Sequence, residues 1–198
     1  MNSTGTRFAP PRRLFALVLA AALGGFSVAN AAVTTYTCLL DGPSEAPPNA
    51  SPGTGFSIVD IDPVAHTMRV RITFSGLIGN TSASHIHGPT AVAFTGTAGV
   101  MTTTPTFAGF PLGVTAGVYD LTHDMTLASS YNPSFITNNG GTTATAETAM
   151  FNAIAAGKAY VNVHSNLFPG GEIRGFLILG GPTPSRSNSW GRIKSLYR

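Results

Sequence analysis

A period of two constrains the fold of this chain more than any other feature. In Met68-Arg69-Val70-Arg71-Ile72-Thr73-Phe74 apolar side chains alternate with polar ones, so a strand here packs one face on a core and turns the other to solvent. Short runs rich in Thr and Val recur between Gly, Pro and Asn clusters, and strands are expected near 33–40, 54–61, 67–75, 83–87, 97–101, 118–127, 159–164 and 172–179. Helical spacing occurs only in AETAMFNAIAA, residues 146–156, with Thr145 as an N-cap and Gly157 as a stop. Residues 102–117 and 128–143 are Thr-, Gly- and Asn-rich and read as long loops. Many short strands without alternating helices predict an all-β class: an antiparallel sandwich or barrel with at most one short helix.

The ends read differently from the middle. Arg7, Arg12 and Arg13 precede the apolar run Leu14 to Leu23, which leads to Ala29-Asn30-Ala31. A basic start, an apolar stretch and a small-residue site spell a secretory signal peptide over 1–31, cut after Ala31. The apolar run is shorter than the roughly 20 residues of a membrane span, so no stable span is expected after cleavage. One domain is expected over 32–180. From residue 181 the Gly-Pro-Thr-Pro-Ser stretch and a basic run predict a disordered basic tail over 181–198.

Charge by segment removes one function class. Eleven bases and eight acids suggest a basic protein, but three bases lie in the signal segment and four in the last thirteen residues. The body from 32 to 180 holds four bases and eight acids, the wrong sign for neutralising phosphates, so nucleic-acid binding is not expected. Cys38 is the only cysteine and cannot pair within the chain, so stability must come from the core rather than from disulfides.

The chemistry is concentrated in histidines. In Ser84-His85-Ile86-His87-Gly88-Pro89 the two imidazoles are two apart on a strand and share a face, while Ile86 takes the core. In Tyr160-Val161-Asn162-Val163-His164 the valines form one face and Tyr160, Asn162 and His164 the other. Three imidazoles on converging strands suit copper or zinc, whose sites favour nitrogen ligands. The metal ligands expected are therefore His85, His87 and His164. Residues 160–179 read as a hairpin around Pro169-Gly170-Gly171, so Glu172 opposite His164 would accept its second N–H and orient the ring. His123 is a candidate fourth ligand that more simply reads as structural, and His66, after Asp62-Pro63, reads as a solvated turn residue. No G-x-S-x-G elbow or phosphate-loop glycine pattern is present, so no catalytic residue is identified and the reading leans away from an enzyme.

These segments resemble the CHRD (chordin-repeat) domain family. They stand here as Leu40-Asp41-Gly42-Pro43-Ser44-Glu45-Ala46-Pro47-Pro48, Ser84-His85-Ile86-His87-Gly88-Pro89, and Ala159-Tyr160-Val161-Asn162-Val163-His164 with Pro169-Gly170-Gly171-Glu172-Ile173-Arg174-Gly175. The resemblance spans about residues 34–179 and implies an immunoglobulin-like β-sandwich or barrel, usually exported, hence secreted or periplasmic. It leaves three function classes: an exported copper- or zinc-binding domain, an extracellular protein-interaction module without metal, and a metal-using redox enzyme. The histidine arrangement is similar to that of copper-zinc superoxide dismutases, but a single cysteine excludes their disulfide, which makes dismutase chemistry the weakest of the three.

Overall fold

The computed structural model describes Met1 and residues 33–180; the expected signal peptide and basic tail lie outside the described residues. Eight strands form one antiparallel sheet: β1 (Thr34–Asp41), β2 (Thr54–Asp62), β3 (Thr67–Ser75), β4 (Thr81–His87), β5 (Gly117–Asp124), β6 (Tyr160–Ser165), β7 (Ile173–Phe176) and β8 (Ile178–Leu179). The hydrogen-bonded path runs β4-β6-β7-β1-β2-β3-β5, with β8 beside β1, and the sheet curls into a half-barrel. The right-handed twist of neighbouring strands accumulates across so many strands and turns one face inward. That face supplies the core. Met68, Val70, Ile72 and Phe74 of β3 alternate into it as their spacing predicts, joined by Tyr36, Cys38 and Leu40 of β1 and Val59 and Ile61 of β2. Each such aliphatic or aromatic side chain contributes about 1.5–3 kcal/mol on burial.

Two devices shape the sheet around the histidine strands. First, β4 lies at the end of the path and its free edge is covered by the segment 99–114. Met101 N donates to Ile86 O, Phe107 N to Ser84 O and Gly113 N to Thr81 O, while Thr81 N donates to Val114 O. Thr102 Oγ1 and Thr106 Oγ1 take the amides of Ile86 and Ser84. An exposed edge would offer these groups to another chain, so the loop both satisfies and protects them. Second, the last strand breaks at Leu177, whose amide leaves the ladder for Ala159 O. Gly175 permits this close crossing, because a Cβ there would collide with the Leu39 carbonyl of β1.

Several details differ from the sequence reading. Residues 97–101 form no strand; only an isolated bridge joins Val100 to His87, the rest of the segment being spent on covering the edge of β4. The expected helix is α2 (Thr143–Ala155), entered at Thr142 rather than Thr145. Thr142 and Thr145 exchange side-chain and backbone bonds as a capping box, which places Thr145 at the third helical position. A short second helix, α1 (Pro133–Asn138), and a 3-10 turn over Ala128–Ser130 occupy the segment read as a loop. Asn132 caps α1 and Pro133 sits in its first turn, a start signal hidden by the polar composition around it.

Candidate metal centre

The face of β6 opposite its valines is covered rather than solvated. All six residues of β6 are buried, Val161 and Val163 in the core and Tyr160, Asn162 and His164 against Ala98, Gly170 and Pro169 respectively. The register sets His85 opposite Asn162 and His87 opposite Tyr160, with His164 opposite Ala83. Two residues on β4 and one on β6 thereby bring their rings together. His85, His87 and His164 are only 7%, 9% and 8% exposed, and each offers a nitrogen within 4.8 Å of the other two.

Which nitrogen each ring offers follows from its other partner. His85 Nε2 faces Pro105 O at 2.6 Å, His87 Nδ1 faces Ala98 O at 3.0 Å and His164 Nδ1 faces Pro169 O at 3.0 Å. A carbonyl oxygen only accepts, so in each case the ring nitrogen against it carries the hydrogen. A neutral imidazole has one N–H, which leaves lone pairs on His85 Nδ1, His87 Nε2 and His164 Nε2. Burial favours this neutral form: it pushes His85 down from its ordinary value, and His87 and His164 down to about 4.

The three lone pairs then face one another. His85 Nδ1 lies 3.3 Å from His164 Nε2 with no hydrogen left to place between them, and His87 Nε2 is buried without a partner. Two nitrogens bonded at about 2.0–2.1 Å to one ion at tetrahedral to trigonal angles stand about 3.3–3.6 Å apart. Converging acceptors, one pair at that separation and the third nitrogen within 4.8 Å of both, fit a cation.

A second layer surrounds the rings. Tyr160 stacks on His87 with ring centroids 5.0 Å apart and planes 4° from parallel. The Arg174 guanidinium lies over the other partner, 4.8 Å from the Tyr160 centroid, and donates to the Ser44 and Gly96 carbonyls. Glu45 Oε2 stands 3.8 Å from Arg174 Nε, while Glu45 Oε1 and Asn162 Oδ1 are buried without hydrogen-bond partners. Burial pushes the Glu45 carboxyl up to about 7, against the pull of Arg174. Sequence reasoning placed Tyr160 and Asn162 on the right face but assigned nothing to Glu45, Arg174 or the three carbonyls; backbone oxygens leave no mark in a sequence.

Two of the expected site residues stand apart from the cluster. Glu172 does not orient His164: the regular ladder of β6 and β7 ends at Val163 opposite Ile173, and although the Glu172 amide still donates to Val163 O, its side chain is directed elsewhere. The Glu172 carboxylate instead accepts from Ser51 Oγ and the amides of Ile78 and Gly79, pinning three loops. His123, the candidate fourth ligand, lies outside the three-histidine cluster. It sits on β5, at the other end of the sheet path, where its Nε2 is 3.1 Å from Tyr119 Oη and its ring packs on Phe107. His66 is an exposed turn residue as read, yet its Nδ1 also holds Glu147 of α2 at 2.9 Å.

Among the described residues no helix is long and apolar enough to cross a membrane. Comparison with known families gives one match, the CHRD domain model over residues 36–177. No curated protein and no solved structure matches the chain.

Proposed function

The chain belongs to the CHRD domain family, and from that premise we propose that it is an exported domain binding one copper or zinc ion through His85, His87 and His164. The observation that carries this reading is the 3.3 Å approach of His85 Nδ1 to His164 Nε2 when both rings have already given their N–H to carbonyls. A proton between them would relieve the repulsion, but burial disfavours an imidazolium, so a metal ion is the better occupant at neutral pH. Orienting each ligand through its second nitrogen is the arrangement that fixes tautomer and ring angle around bound metals. Export rests on the segment 1–31, with its three arginines, apolar run and Ala29-Asn30-Ala31. The family's usual setting, outside the cytoplasm, supports it. Metal analysis of untagged protein recovered from an exported preparation tests both parts. Stoichiometric copper or zinc in a protein that begins at Ala32 is the expected result, and protein beginning at Met1 or free of both metals removes the corresponding half.

A second reading, an extracellular interaction module without metal, has one observation in its favour. Leu39, Phe56, Thr73 and Val118 stand in register across β1, β2, β3 and β5 on the outer face, and the three apolar members are 73%, 42% and 70% exposed. A row of that kind on a sheet face is a place where another protein can bury apolar surface. A redox enzyme is the least supported class.

A further inference from the structure

We propose that the three-histidine centre is selective for monovalent copper, Cu(I), over divalent Cu(II) and Zn(II). The inference rests on the metal-binding reading above and adds the charge of the ion. All three donor atoms, His85 Nδ1, His87 Nε2 and His164 Nε2, belong to neutral rings. Among the described residues no carboxylate or thiolate joins them within bonding range of one ion: the cluster contains these three side chains alone. Cys38 lies in the core of β1, and both Glu172 oxygens are committed to Ser51, Ile78 and Gly79. An ion held here keeps its full charge.

The surroundings make a high charge costly. The self-energy of a buried ion grows as the square of its charge, so a divalent ion is penalised about four times as heavily as a monovalent one in the same cavity. The fixed charge beyond the ligands has the wrong sign. Arg174 lies over Tyr160, which is itself stacked on His87, and no second base or acid is interposed along that stack. Glu45, the acid beside Arg174, is 3.8 Å away and holds its proton up to about pH 7, so it neutralises the guanidinium only in part. The coordination number points the same way. Zinc sites complete a tetrahedron with a fourth ligand or a water, whereas three imidazoles that are each less than a tenth exposed leave little access for one. A closed-shell monovalent ion accepts three nitrogens in a plane, and imidazole suits copper.

The test is competitive titration of the untagged, folded protein. Cu(I), supplied anaerobically as its acetonitrile complex against a bicinchoninate chelator, is compared with Cu(II) and Zn(II) against chelators of known affinity. Cu(I) is expected to bind at least about 100-fold more tightly than either divalent ion. Cu(II) is the stricter comparison, because it outbinds the other divalent first-row ions at nitrogen ligands. Glu45→Gln, which removes the acid beside Arg174, is expected to weaken Cu(II) and Zn(II) binding at pH 8 by about tenfold and to change Cu(I) binding by a smaller factor. Zn(II) or Cu(II) binding as tightly as Cu(I) overturns the selectivity and leaves the metal site standing. Absence of binding by all three ions in protein whose circular dichroism shows an intact sheet overturns the site itself, and the selectivity with it.

Discussion

At the residue scale, the ring nitrogens and Glu172 separate a binding role from a structural one. His164→Ala removes a donor and leaves Pro169 O without its partner, so metal binding is expected to fall steeply, while His66→Ala, whose ring reaches only Glu147, leaves it unchanged. Calorimetric titration of both variants with copper checks this pair, and equal binding by the two would remove the site. Glu172→Ala is expected to act on stability instead. It is fully buried and accepts three hydrogen bonds, and a buried donor left unpaired costs about 1–3 kcal/mol. Loss of two amide partners and one hydroxyl partner should lower the unfolding free energy by about 3 kcal/mol or more, read as a shift of the urea midpoint. Metal affinity in the folded variant should change far less than in His164→Ala. Sequence logic had given Glu172 the opposite assignment because Val163 and Ile173 are indeed opposite each other, and one more step of that register would have brought Glu172 to His164. The regular ladder stops at Ile173, and although the Glu172 amide still reaches Val163 O, the carboxylate is drawn to Ser51, Ile78 and Gly79 instead.

At the scale of elements, what was legible is what period-two patterning encodes. The alternation in residues 68–74 gave β3 its boundaries, the H-x-H spacing put two rings on one face of β4, and the valines of β6 put His164 on the matching face. The pairing of β4 with β6 could not be read locally, since it joins segments nearly eighty residues apart in sequence. The false strand at 97–101 fails for a related reason. Val100 has strand character, but the segment serves as a cover for the edge of β4, and covering needs loop hydrogen bonds rather than a ladder. Close approach between elements gives a sharp expectation. Gly175→Ala would drive a methyl group into the Leu39 carbonyl, so β7 must leave β1 or the strand must shift, and the variant is expected to be severely destabilised or insoluble. Gly170→Ala, where a Cβ meets nothing within 4 Å, is the matched control and should fold normally. Thermal melts of the two, side by side, check the claim; equal melting temperatures would mean that the β1 and β7 contact is not the constraint described.

At the scale of the whole molecule, the buried groups set an acid limit with a definite sign. His87 and His164 are neutral in the fold and are pushed from an ordinary 6.5 down to about 4. The unfolded chain therefore takes up protons first as pH falls below 6.5. Their contribution is complete above that value and is lost as pH drops towards 4, at up to about 1.4 kcal/mol per pH unit for each ring. His85 and His123 are lowered by burial as well and add to the same slope. Glu45 opposes it. Its carboxyl is raised from 4.5 to about 7, so its contribution is complete below 4.5 and is lost as pH rises through 7. Between pH 4.5 and 6.5 several histidines act against one carboxyl, and net stability is expected to fall on acidification. Glu45→Gln deletes the opposing term, so the urea midpoint of that variant should fall more steeply from pH 6.5 to 5 than that of the parent; parallel profiles would show that Glu45 is not titrating in this window. Bound copper should add about 2.7 kcal/mol at pH 7 when free ion stands at 100 times its dissociation constant. Because the ion and the protons compete for the same three nitrogens, and the folded rings take up protons only around pH 4, the stabilities of loaded and metal-free protein should begin to converge near pH 4 and meet below it. A copper-dependent stabilisation that persists undiminished below pH 4, where these rings are protonated, would place the ion on ligands other than these imidazoles.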